Sequence, residues 1–126
     1  MAVNAKPTVL VSAAAGSGKT AVLVERVIRL ITDPKNLIDA DKLLIVTFTN
    51  AAAAEMRTRI EKRLYEESIK QPNNKHIIRQ QILIESARIQ TIDAFCIDLV
   101  RKNFNFLGVS PDFKIIDPGA ANTILE

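Results

Sequence analysis

The chain has 126 residues, 48% hydrophobic and 25% charged, which is enough for one small folded domain with one core. Lys and Arg number 17 against 14 Asp and Glu, a net charge of +3 that fits a polyanionic partner and fits plain solubility. A single cysteine, Cys96, and a single histidine, His76, exclude an internal disulfide and a Cys/His metal cluster. No apolar run approaches the ~20 residues of a membrane span, and a cytoplasmic location is expected.

In chain order, residues 8–13 (TVLVSA) read as a buried strand. The stretch Ala13, Ala14, Ala15, Gly16, Ser17, Gly18, Lys19 and Thr20 then places two of the 4 glycines among small side chains, followed by a lone cation and a hydroxyl. Strand, small-residue loop, Lys-Thr and helix form the context of a phosphate-binding loop. A backbone that wraps its N–H groups round a triphosphate needs absent or tiny side chains, which Gly16 and Gly18 supply. The start of the following helix adds unpaired donors and positive dipole. Lys19 carries a mobile charge to the β- and γ-phosphates, and Thr20 presents a hydroxyl to Mg²⁺. Ala13 stands at the first position of G-x-x-x-x-G-K-[ST], where Gly is usual. The loop alone does not fix the reaction.

A helix starts at residues 18–20 and runs to about residue 32, with Glu25 and Arg29 as an i,i+4 pair. It is otherwise almost wholly apolar from 21 to 31, which predicts cover on most sides. TDPKN (32–36) stops it. KLLIVTF (42–48) predicts a parallel strand covered on both faces. In TNAAAAEMRTRIEKRLYEES (49–68), Ala53, Met56, Ile60 and Leu64 form one helical stripe, Glu55, Arg59 and Arg63 another, with Thr49 or Asn50 as cap. QPNNK (71–75) is a loop, 77–87 a helix, and 87–92 a short strand. DAFCIDLVRKNFNFLG (93–108) is a helix capped by Asp93 or Thr91 and ended by Gly108. FKII (113–116) is a last strand candidate. The order β-α-β-α-α-β-α-β predicts an α/β domain with a parallel sheet and right-handed crossovers. His76 reads as a surface residue, and Cys96 as small core filling beside Leu99 and Val100.

Three segments after the loop carry a family resemblance. LLIVTFTNAAAAEMRTRI (43–60), RIQTIDAFC (88–96) and PDFKIID (111–117) resemble, in order and at similar spacing, the motifs of UvrD/RecB-like superfamily 1 DNA helicases. SAAAGSGKT and TNAAAAEM are most similar to the AddA/RexA type of helicase–nuclease within that family. The resemblance covers residues 9–117. It implies a P-loop NTPase (RecA-like) parallel sheet with flanking helices: a partial motor domain 1A over residues 1–110, and the start of an inserted subdomain over 111–126.

The same resemblance implies ATP and Mg²⁺ as cofactors, held by residues 13–20, with Lys19 and Thr20 as the catalytic pair and Thr20 as the metal contact. Phe48, Thr49 and Asn50 fall where the family contacts single-stranded DNA; Phe48 is there either a base-stacking platform, typically worth ~1–3 kcal/mol per base, or the buried end of a strand. Arg57, Arg59 and Arg63 face a phosphate backbone or line a solvated helix face. Asp93 departs from the family's usual His. An anion there repels phosphate, and Asp93 is expected to cap its helix instead.

The implied parent walks 3′→5′ along DNA and processes single- and double-stranded DNA ends in double-strand break repair. It has no membrane association and pairs with a partner of the AddB/RexB type. An acidic Walker-B strand, arginine fingers, a carboxylate–Lys nuclease cluster and an upstream adenine-reading Gln are not found in the sequence. The expectation is therefore a truncated piece that binds triphosphate weakly and turns over little or none, with open apolar surface. A small P-loop kinase with an Arg-rich lid, or a non-catalytic nucleotide-gated interaction module, are the alternatives.

Overall fold

The computed structural model describes residues 12, 14, 16, 18–35 and 38–116. The strand expected at 8–13 lies outside them, apart from Ser12. Helix α1 spans Lys19–Thr32, strand β1 Leu44–Thr47, α2 Asn50–Lys70, α3 Lys75–Leu83, β2 Arg88–Thr91, α4 Ile92–Lys102 and the short α5 Phe104–Leu107; single 3₁₀ turns occupy Ala40–Lys42 and Ile84–Ser86.

β1 and β2 pair in parallel, with Leu44 opposite Arg88, Ile45 opposite Ile89, Val46 opposite Gln90 and Thr47 opposite Thr91. Side chains alternate across a strand, so Ile45 and Ile89 share one face. They join Val24, Val27, Ile28 and Ile31 of α1 and Ala53, Met56, Ile60 and Leu64 of α2 in one buried cluster. The 3.6-residue stripe read in 49–68 is the stripe that α2 buries.

Two expectations of cover are corrected. Among the described residues α1 buries one face only, and Val22 and Leu23 are exposed. Leu44 and Val46, on the sheet face away from α2, are each 45% exposed. In both, the buried side is the one that joins the cluster shared by α1, α2, Ile45 and Ile89. α4 buries none of its own residues, and Cys96, expected in the core, is exposed. Residues 113–116 form no strand. No neighbouring strand among the described residues offers them a ladder, and Phe113 instead lies under the Arg101 guanidinium, 5.6 Å from ring centroid to Cζ.

Polar side chains fix the helical layer. Gln80 of α3 is fully buried; its Oε1 accepts the Ala40 N–H at 2.8 Å and its Nε2 donates to Asp39 Oδ1 at 2.8 Å. α3 begins two residues earlier than the sequence suggested because Asn74 caps it, accepting from the N–H groups of His76 and Ile77. His76 is half-buried rather than on the surface. Its Nε2 lies 2.7 Å from the Ile31 carbonyl, which can only accept, so that nitrogen carries the proton. Further up α1, Glu25 bonds Arg63 in the middle of α2. Since α3 follows the end of α2, these two ties make α1 and α2 run in the same sense.

Replacing Gln80 by Leu leaves the buried Ala40 N–H without its acceptor. Chemical denaturation of this variant is expected to show a loss of about 1–3 kcal/mol; an unchanged midpoint would contradict the role given to Gln80.

Candidate nucleotide and nucleic-acid site

The loop ends in two glycines held in a conformation that only glycine adopts without strain. Gly16 has φ 77° and Gly18 φ 83°, both in the left-handed region, and among the described residues a Cβ built on either meets no atom within 4 Å. Among the described residues nothing fills the space beside this backbone, which suits a ligand approaching the main chain. Gly18 is the N-cap of α1 and provides no side chain to occupy the first amides, and the first turn holds no acid. The positive end of a 14-residue helix thus faces outward without a side-chain cap. Lys19 Nζ lies 2.7 Å from the Ala14 carbonyl, so the ammonium is held across the loop. Thr20 is exposed on the next position of the helix. Ala13, Ala15 and Ser17, also expected in this site, lie outside the described residues. Among the described residues no group of three or more acids, His or Cys could hold a metal by itself. On this geometry the residues present fit a nucleoside triphosphate.

The second candidate segment follows β1. Thr47 Oγ1 donates to the Thr49 carbonyl at 3.0 Å, and Thr49 Oγ1 accepts the Ala52 N–H at 3.1 Å, which caps α2. These bonds turn the chain sharply and push Phe48 outward. Phe48 is 90% exposed, so its core reading is overturned. Asn50 opens α2 beside it and is also exposed.

Parallel pairing places the end of β2 next to this turn. Thr91, opposite Thr47, is the N-cap of α4, with Oγ1 accepting the Ala94 N–H at 3.1 Å. Asp93 is not the cap. It sits inside the first turn, where an acid is favoured by the helix dipole, while the extended backbone that capping needs belongs to Thr91 (φ −73°, ψ 159°).

The three arginines part company. Arg57 donates from Nη1 to the Ile84 carbonyl at 2.8 Å and from Nη2 to the Ala87 carbonyl at 2.9 Å. Arg59 pairs with Glu55 one turn back. Arg63 meets Glu25, Glu66 and Glu67. All three lie in continuous helix, not in the loop that a kinase lid needs. A groove of about 1050 Å³ between α1 and α2 is lined by Ala21, Val22, Arg26, Arg29, Lys62 and Arg63 among others. It begins one residue past Thr20 and runs along the helices, away from the glycine loop.

Arg29 first, then Arg63, hold the Glu25 carboxyl below its ordinary range; Arg63 does the same for Glu66, and Glu66 and Glu25 in turn raise Arg63. Both carboxylates are lowered in the folded chain, so the unfolded chain takes up protons first as pH falls. Their contribution is full above the ordinary carboxylate range and is lost as pH drops through the folded values. The groups are solvent-exposed, so the effect is small and salt-sensitive. The thermal midpoint is expected to fall on acidification below the carboxylate range, and less steeply in Glu25→Gln. An equally steep fall in that variant would show that Glu25 is not a source of the pH dependence.

The family model described as the UvrD/REP helicase N-terminal domain matches residues 1–126. Among curated relatives, a protein of Clostridium novyi (strain NT) is 56% identical over 108 residues, covering 86% of this chain and 9% of the relative. One of Anoxybacillus flavithermus (strain DSM 21510 / WK1) is 54% identical over 117 residues, 93% of this chain and 10% of the relative. One of Ruminiclostridium cellulolyticum is 52% identical over 115 residues, 91% and 9%. Each is named as an ATP-dependent helicase/nuclease. The chain thus spans about a tenth of the length of these relatives. With the family model covering every residue, the chain belongs to the UvrD/REP helicase N-terminal domain family.

Proposed function

We propose that the chain is the nucleotide-binding N-terminal part of an ATP-dependent 3′→5′ DNA helicase/nuclease that works on broken DNA ends in repair and recombination. The observation that carries this reading is the start of α1. Gly18 in a left-handed conformation hands a helix terminus without a side-chain cap to Lys19 and Thr20, in a chain half-identical to proteins named for ATP-dependent helicase and nuclease activity.

In this reading Ala14, Gly16, Gly18 and the first amides of α1 receive the phosphates of ATP, with Ala13, Ala15 and Ser17 completing the loop. Lys19 exchanges the Ala14 carbonyl for β- and γ-phosphate oxygens and stabilises the charge of the transferring phosphoryl group. Thr20 would supply a hydroxyl to Mg²⁺, whose charge would offset that of the phosphates. Phe48 stacks on a base of single-stranded DNA, with Thr49 and Asn50 beside it. The exposure of Phe48 and the turn that presents it support this role. Arg57, Arg59 and Arg63 are occupied by carbonyl and carboxylate partners and are not assigned phosphate contacts. A protein of the AddB/RexB type is the proposed partner of the longer protein.

Among the described residues no acid stands at the end of β1 or β2 to hold Mg²⁺ or position water. Binding without appreciable turnover is the consequence for these 126 residues. A fluorescent ATP analogue with Mg²⁺ is expected to bind the chain, and Lys19→Ala to weaken it by about tenfold or more, the scale of a lost charge-assisted contact. Phosphate release should stay near background. Equal affinity in Lys19→Ala, or helicase-like turnover of several per second by the chain alone, would refute this assignment.

A further inference from the structure

Side chains three and four positions apart share a helix face. Tyr65, Ser68 and Ile69 therefore share one face of α2, and Ile78, Gln81 and Ile82 share one face of α3. Gln81 Nε2 donates to Ser68 Oγ at 3.2 Å, which sets the two faces side by side. Arg57, nearer the start of α2, reaches the Ile84 carbonyl just past the end of α3, so α3 runs back along α2 in the opposite sense. Tyr65, Ile69, Ile78 and Ile82 are between 42% and 68% exposed, although α2 and α3 each bury a different stripe. Single exposed apolar residues are ordinary, but four gathered on adjoining helix faces mark an interaction surface.

The charges of this surface stand at its two ends. Glu61 lies one turn before Tyr65 on α2, and Glu85 lies in the 3₁₀ turn just after Ile82. Lys75 opens α3 one turn before Ile78. Because the helices run oppositely, Glu61 and Glu85 share one end and Lys75 stands at the other. Among the described residues none of these three has an ion pair, whereas Arg59, Arg63, Lys70 and Arg79 all do. Arg57 holds carbonyls, and Lys62 lines the groove against α1. A surface acidic at one end and basic at the other matches itself when a copy is turned end for end. That two-fold turn lays the apolar side chains of both copies together. It also brings Lys75 of each copy to Glu61 and Glu85 of the other.

We propose that the outer face of α2 and α3 is a two-fold interface between copies of this chain. Burial of Tyr65, Ile69, Ile78 and Ile82 supplies the attraction. The end charges favour the antiparallel arrangement and oppose a parallel one, in which like charges meet. The face runs for about 11 residues, about 16 Å, and is two helices or about 20 Å wide. It is smaller than the ~800 Å² per partner of a standard interface, so the dimer is weak, with a dissociation constant of about 0.1–1 mM. Tyr65 lies about 22 Å along α2 from Asn50, where the Phe48 turn ends. The glycine loop and the Phe48 turn thus stay open in the dimer, and the inference is independent of the roles proposed for them.

Light scattering on the 126-residue chain tests this. Up to about 1 mM, the weight-average mass should rise from one chain toward two. Ile82→Glu and Tyr65→Lys, both at exposed positions, should each hold it at one chain. Lys75→Glu should do the same, because both ends of the face are then acidic. The triple variant Lys75→Glu, Glu61→Lys, Glu85→Lys exchanges every pair and should regain the dimer. Leu99→Glu, on the exposed side of α4, should leave the dimer intact. A wild-type chain that stays monomeric at about 1 mM overturns the proposal. So does association that Leu99→Glu abolishes and Ile82→Glu keeps, which would place the contact on α4. A triple variant that stays monomeric overturns the two-fold pairing, and the proposal with it. Mass growing past two chains also overturns it, since a two-fold interface closes.

Discussion

Parallel pairing of two short strands is the constraint on which the rest depends. Parallel strands both end at the same edge, so each must hand its chain to a helix that starts there. With Thr47 opposite Thr91, and strands about 4.8 Å apart, the N-termini of α2 and α4 become neighbours, each capped by a threonine at the strand end. α1 runs in the same sense as α2, fixed by Glu25–Arg63 and His76–Ile31, so its N-terminus also points toward that edge. A helix start is the place where backbone donors lack partners within the helix. Of the starts gathered on this side, those of α1 and α2 hold no acid in the first turn and suit anions, while that of α4 carries Asp93.

The helical layer behind this edge is held by few but directional polar contacts over an apolar core. Gln80 pins the segment before β1 to α3, Arg57 pins the segment before β2 to α2, and Arg63 joins α2 to α1. Leu44 and Val46 remain half-open, and α4 has no buried residue.

Local periodicity made part of the fold legible in the sequence. The stripe of Ala53, Met56, Ile60 and Leu64 is buried as its 3.6-residue spacing implies, and the run 42–48 contains β1. Thr49, one of two cap candidates, is the cap because its hydroxyl reaches Ala52. Cover was not legible, because it depends on what lies opposite. α1 and β1 have the composition of doubly covered elements, yet among the described residues each is covered on one face. Cys96 is exposed for the same reason. Partners were not legible when they are main-chain carbonyls far along the chain. Nothing near Arg57 or His76 announces Ile84, Ala87 or Ile31 as acceptors. Asp93 and Thr91 were equally good caps by residue type, and only backbone geometry separates them.

The proposed function puts the phosphates of ATP at the start of α1 and not in the groove between α1 and α2. Amide chemical-shift mapping on isotopically labelled chain, titrated with ATP and Mg²⁺, tests this most directly. The largest shifts are predicted to fall on Gly16, Gly18, Lys19, Thr20 and Ala21. Shifts concentrated instead on Arg26, Arg29, Lys62 and Arg63 along the groove, or none at saturating nucleotide, would contradict it.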